Sequence, residues 1–107
     1  MTKNRPLQVP DLRNKICECI DKGNYFHSKH ALDRQKLRKI DLEDALYVLK
    51  NGKHEEAKTL FDEEFQSWKY AIRGATLDGD DIRIIIAFDD FGMLLITVMH
   101  VFNKRNL

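Results

Sequence analysis

The chain has 107 residues, 43% of them hydrophobic and 33% charged, with a formal net charge of +1. That length suits one domain with its own core, and the apolar share excludes intrinsic disorder, which combines low hydrophobicity with high net charge. No run reaches the roughly 18 apolar residues of a membrane span, and Met1 to Pro10 lacks the apolar segment of a secretory leader, so the expected compartment is the cytoplasm.

Met1 to Val9 is polar, carries Pro6 and reads as a flexible arm. A single α+β domain is expected over residues 10–103, with a tail at 104–107. Pro10 and Asp11 suit a helix start, and Leu12, Ile16, Cys19 and Ile20 then fall on one helical face up to the stop at Gly23-Asn24. Tyr25-Phe26-His27 is a short extended piece. Ser28 suits the cap of a second, very basic helix running to about Arg38. Asp41 opens a third, with Leu42, Ala45, Leu46 and Leu49 as its apolar stripe, and Asn51-Gly52 ends it. After Gly52 the period changes from helix to strand. His54 to Leu60 is a weak strand and Phe61 to Phe65 a loop. Ser67 to Thr76 alternates as a strand, Asp78-Gly79 marks a hairpin turn, and Asp81 to Asp89 and Met93 to Phe102 read as central strands. The expectation is three helices packed on an antiparallel sheet of three to four strands, in two layers.

Charge is unevenly spread. Residues 1–54 carry 12 Lys or Arg against 7 Asp or Glu, and residues 55–107 carry 6 against 10. From Lys29 to Lys39, five cations (Lys29, Arg34, Lys36, Arg38 and Lys39) meet only Asp33, a pattern that points to a polyanionic partner. His30, Arg34 and Arg38 stand at i, i+4 and i+8, and each step of four turns an α-helix by about 40°, so the three line one face. A phosphodiester needs both things such a face offers: cations for its charge and a group that moves protons near neutral pH. The bland alternative is a solvated basic helix. Arg73 and Arg83 lie in strands joined by the Asp78-Gly79 turn, close together on one face. There each guanidinium either pairs with a carboxylate or lines a cleft. Trp68 and Tyr70 read as core. Cys17 and Cys19 point apart on a helix and read as thiols, and His27, His30, His54 and His100 follow no ligand spacing. Glycine-rich phosphate loop, nucleophile elbow and Walker lysine are all missing, so neither metal nor cofactor is expected.

The run Ser28-Lys29-His30-Ala31 through Arg34 and Arg38 to Ile40 reads Ser-x-His-Ala-x-x-Arg-x-x-x-Arg-x-Ile. Asp41-Leu42-Glu43-Asp44-Ala45, Leu49-Lys50-Asn51-Gly52, Trp68-x-Tyr70, Gly74-x-Thr76-x-Asp78-Gly79, Ile82-Arg83 and Leu95-Ile96-Thr97-Val98 follow in order. This series resembles the small bacterial domain-of-unknown-function family DUF4258 over Asp11 to Val101. The resemblance implies the toxin half of a type II toxin–antitoxin pair, beside an antitoxin of zinc-finger and helix-turn-helix type. It also implies an α+β layout similar to RelE-like and MqsR-like endoribonucleases. Carried over by motif, the signature polar positions fall on His30, Arg34, Arg38 and Arg83, with Thr97. Two departures stand out: Lys39 occupies a place where the family commonly has Gly, and Lys58 to Trp68 is acidic.

The expected function is therefore a metal-independent endoribonuclease. His30 would move the proton, and Arg34, Arg38 and Arg83 would hold the phosphate. Lys29, Lys36, Lys39, Arg73 and Thr97 would be further RNA contacts. The competing expectations are a non-catalytic RNA- or protein-binding module using the same patch, and an oligomeric structural protein built on an exposed strand edge.

Overall fold

Asp11 accepts the Asn14 amide on its carboxylate at 3.2 Å and so starts α1, Leu12–Lys22, which Gly23 ends in the left-handed conformation (φ 72°). The computed structural model describes residues 5–101. The chain continues through β1 (Tyr25–His27), α2 (Lys29–Arg38) and α3 (Leu42–Asn51). Next come β2 (Lys53–His54), one 3-10 turn (Glu56–Lys58) and β3 (Leu60–Asp62), then β4 (Ser67–Ala75), β5 (Asp81–Asp89) and β6 (Gly92–His100). The last carbonyls of α3 are closed from α1: Arg13 donates to Lys50 O at 2.9 Å and to Gly52 O at 2.7 Å.

The sheet corrects the expectation of three to four antiparallel strands. It has six strands and is mixed, in the order β1-β6-β5-β4-β2, with β3 also on β4. β1 lies parallel to β6, Tyr25 opposite Met93 and His27 opposite Leu95. This strand is the short extended piece expected at Tyr25-Phe26-His27; three residues are too few to show a period, so nothing local announces its partner, β6. The single weak strand expected over His54 to Leu60 is two short strands. The 3-10 turn between them frees the chain from β4 and returns it to β4 at Leu60, opposite Lys69.

Packing follows the alternation of β5. Ile82, Ile84 and Ile86 are fully buried against the helices, while Arg83 and Ile85 between them face the other way and stay partly open. With Ile72, Tyr70, Met93, Leu95 and Val98 they meet Ile16 of α1, Ala31 of α2 and Val48 and Leu49 of α3 in one cluster. All three helices therefore cover one face of the sheet, and on its other face β5 buries Ala87 while Arg83 and Ile85 stay partly open. Gly52 and Gly74 allow α3 to hand over to β2 across β4, since a Cβ on Gly52 would stand 2.6 Å from Arg73 O.

Residues 5–9, within the segment expected as an arm, run along β4. Val9 N donates to Tyr70 Oη at 2.9 Å, and Trp68 Nε1 donates to Pro6 O at 2.8 Å. The tail expected at 104–107, residues 1–4 of the arm and Phe102 lie outside the described residues. Among the described residues no helix is long and apolar enough to cross a membrane.

Lys39 ends α2 in the left-handed region (φ 54°, ψ 38°), a backbone state that suits glycine. Lys39→Gly should raise stability by about 1 kcal/mol, seen as a melting temperature higher by roughly 4–8 °C. An unchanged or lower melting temperature would show that the lysine side chain contributes more than its backbone costs.

Candidate nucleic-acid interface

Helix α2 is fixed to the outer edge of β6 at both ends. Ser28 Oγ accepts the Ala31 amide at 3.0 Å and donates to Ile96 O at 2.9 Å, while Ser28 N donates to Leu95 O at 3.0 Å. One serine thus caps the helix and closes the strand edge. At the other end Arg38 Nη1 donates to Val98 O at 2.6 Å, and His100 Nε2 donates to Arg38 O at 3.0 Å. Between them Gln35, almost fully buried, donates from Nε2 to His27 Nδ1 at 2.9 Å, so the His27 proton sits on Nε2. Burial holds His27 below the usual imidazole range.

These anchors decide where the basic stripe points. The buried face of α2 is Ala31 and Gln35. Steps of four residues drift by about 40°, or about 80° over eight residues. His30 accordingly stands exposed, Arg34 is half-buried on the flank, and Arg38 has turned onto the sheet edge. His30 and Arg34 have no hydrogen-bond or ion-pair partner among the described residues. Lys29, Lys36 and Lys39 are exposed around them.

Arg83 and Arg73 form a second group, on the helix-free face of the sheet. They sit directly opposite each other in the β4–β5 register. Each is held by carboxylates. Arg83 donates to Glu55 through Nε at 2.5 Å and Nη2 at 3.2 Å, and Arg73 donates to Asp81 from Nη2 at 2.6 Å and lies 3.7 Å from Glu55. The Arg83 fork holds the Glu55 carboxyl below the usual carboxylate range. Both arginines make ion pairs, and Arg73, with Glu55 and Asp81, also lines an open groove beside β2. Glu55 carries no sequence signal, since it follows β2 in an irregular stretch. Asp81 was findable, because the Asp78-Gly79 hairpin pairs it with Ala75, two residues from Arg73.

Thr97 stands between the two groups in sheet order, on β6 opposite Ile85. A β-bulge at Ile96 shifts the register there: Ile85 pairs with Thr97 but Ile86 pairs with Leu95, which leaves Ile96 as the extra residue. His30 and Arg34 are thus neighbours on α2, while Arg83 is brought to Arg73 and not to them. Among the described residues no three His, Cys, Asp or Glu side chains converge.

No curated protein matches the chain. Residues 27–100, from the end of β1 through the last residue of β6, match the family described as domain of unknown function (DUF4258). That stretch contains α2, both of its anchors on β6, and both arginine–carboxylate pairs. The chain therefore belongs to the domain-of-unknown-function family DUF4258.

Proposed function

We propose that this protein is a toxin-like RNA-binding protein that cleaves single-stranded RNA as a metal-independent endoribonuclease. The observation that carries the reading is the pair His30 and Arg34, one turn apart on an accessible flank of α2 and free of partners among the described residues. The RNA 2′-hydroxyl attacks the adjacent phosphorus, and the bond from phosphorus to the 5′-oxygen breaks. The proton leaves the 2′-oxygen and one arrives on the 5′-oxygen, so the ends are a 2′,3′-cyclic phosphate and a 5′-hydroxyl. His30 performs one of the two proton transfers, and Arg34 holds the non-bridging oxygens as charge builds. Arg38 keeps donors beyond the one bonded to Val98 and stands third in the line. Lys29, Lys36 and Lys39 supply the diffuse positive field that retains the strand. Arg73 and Arg83, neutralised by Asp81 and Glu55, are placed outside the phosphate clamp in this reading. The likeness to RelE- and MqsR-type toxins, and a zinc-finger antitoxin as partner, belong to the same proposal.

The second reading is an RNA-binding module without catalysis. One feature favours it: the stripe offers a single titratable imidazole where strand cleavage uses an acid and a base. One assay separates the two. Labelled single-stranded RNA is incubated with the protein in excess chelator, and cleavage and binding are read together. Cleavage with cyclic phosphate ends supports the nuclease, binding without cleavage supports the module, and neither result removes both. In the binding arm Arg34→Ala should weaken association for every sequence alike. It should also lower the slope of log affinity against log salt by about 0.7, one phosphate contact on a single strand.

A further inference from the structure

The helix-free face carries a second feature that the phosphate clamp does not use. Beside the start of α2 lies a cavity of about 370 Å³. Its floor is Leu94 and Ile96, two residues apart on β6 and so on one face. Phe65 forms one wall, and Ser67, Lys69 and Asp89 supply polar groups at the rim. Ser28, the cap of α2 and two residues before His30, lines it as well.

We propose that this cavity holds a nucleobase of the RNA strand whose phosphate lies at His30 and Arg34. The inference rests on the preceding reading of α2 and adds the part of the strand that is not phosphate. A ligand that spans a cationic helix flank and an adjoining apolar hollow carries an anion on one side and a flat apolar group on the other. A nucleotide has that form. The volume lies within the range of small-ligand sites and accommodates a base. Phe65 is 72% exposed, so its ring is available for stacking. Its position is built in advance. Asp62 Oδ1 accepts the amides of Glu64 at 2.9 Å and Phe65 at 3.2 Å, and Gln66 closes the turn in the left-handed region (φ 51°), donating to Glu63 O at 2.7 Å. The Ser67 hydroxyl has no partner among the described residues. Asp89 receives Phe91 N and Gly92 N on Oδ1, which leaves Oδ2 for a base N–H. The charge of this turn fits the assignment: Glu63 is paired with Arg5 at 2.8 Å, while Glu64 repels phosphate and leaves the base as the part of the strand that approaches it.

Two oligoribonucleotides of equal length test it, one carrying bases and one an abasic ribose-phosphate chain, by fluorescence anisotropy. Phe65→Ala should weaken binding of the base-bearing strand on the order of tenfold and leave the abasic strand unchanged. Phe65→Trp should restore or exceed the original affinity. Arg34→Ala should weaken both strands. If Phe65→Ala changes neither affinity while Arg34→Ala lowers both, the pocket falls and the phosphate flank stands. If Phe65→Ala lowers both equally, Phe65 contacts the backbone and the base assignment fails. If the wild type binds neither strand, both readings fall together. Phe65 is exposed on a turn, so its variants keep the fold, and circular dichroism checks this.

Discussion

Replacing His30 with alanine should lower RNA cleavage by about a hundredfold or more while affinity for RNA changes little. A positioned proton-transfer group contributes typically on the order of a hundred to ten-thousandfold, so the loss falls on the rate of the chemical step. In the proposed mode the affinity comes from the cations, and they remain. The side chain is exposed in the first turn of α2 and makes no hydrogen bond among the described residues, so its removal leaves nothing buried unsatisfied. The variant should therefore melt with the wild type. That separates His30 from Arg38, whose removal would strand the carbonyl of Val98 at the sheet edge. The measurement is single-turnover cleavage of labelled RNA beside a thermal melt. Cleavage at the wild-type rate by a folded His30→Ala protein would take His30 out of the reaction, whereas binding without cleavage by the wild type would move the protein to the non-catalytic reading.

The largest effect on stability outside the apolar core should come from Glu55. Its carboxylate binds Arg83 in a fork on a part-buried sheet face and also lies near Arg73. Glu55→Ala leaves two guanidiniums facing each other across β4 and β5 with only Asp81 beside them. Removing one partner of a fully buried pair costs about 3–5 kcal/mol, and here partial exposure screens the charge, so about 2 kcal/mol is expected. That corresponds to a melting temperature lower by roughly 8–16 °C. The double variant Glu55→Leu with Arg83→Met removes both charges and should recover most of the loss. The sign with pH follows from the direction of the shift. Glu55 is held below its unfolded value, so its contribution is present in full above that value, near pH 4.3, and is lost as pH falls through the folded value. The gap between wild type and Glu55→Gln should be wide at pH 7 and narrow below about pH 4. Melts at the two pH values measure it, and a variant that melts with the wild type at pH 7 would show that the pair adds nothing.

Much of this could be read from the chain because the strongest signals are local. Ser28 as a cap, the Asp41 start of α3 and the run Asp81 to Asp89 are set by hydrogen bonds or alternation within a few residues, and the structure has them there. The Asp78-Gly79 turn likewise sets the register that puts Arg73 opposite Arg83. What could not be read depends on distant partners. Spacing aligns His30, Arg34 and Arg38 but does not say which side of α2 is buried. Leu32 and Leu37 look like the inward residues, yet both are exposed, and Ala31 and Gln35 take the inner face. Gln35 holds that place through His27, a bond no periodicity reveals. The same holds for Glu55 on Arg83 and for β1 on β6, where the recognition is made across 28 and 68 residues.

The parallel pairing of Tyr25–His27 with Met93–Leu95 has a consequence for synthesis. The chain leaves the ribosome from its amino end, so α1, β1 and α2 emerge first and have no edge to join. The groups that hold both ends of α2 belong to Leu95, Ile96, Val98 and His100. Until β6 clears the exit tunnel, the basic helix is unanchored and its neighbouring hollow, floored by Leu94 and Ile96, does not exist. Contacts of such long range also close slowly. On the proposed reading, the α2 flank and the hollow beside it become competent together, and only after β6 has been made.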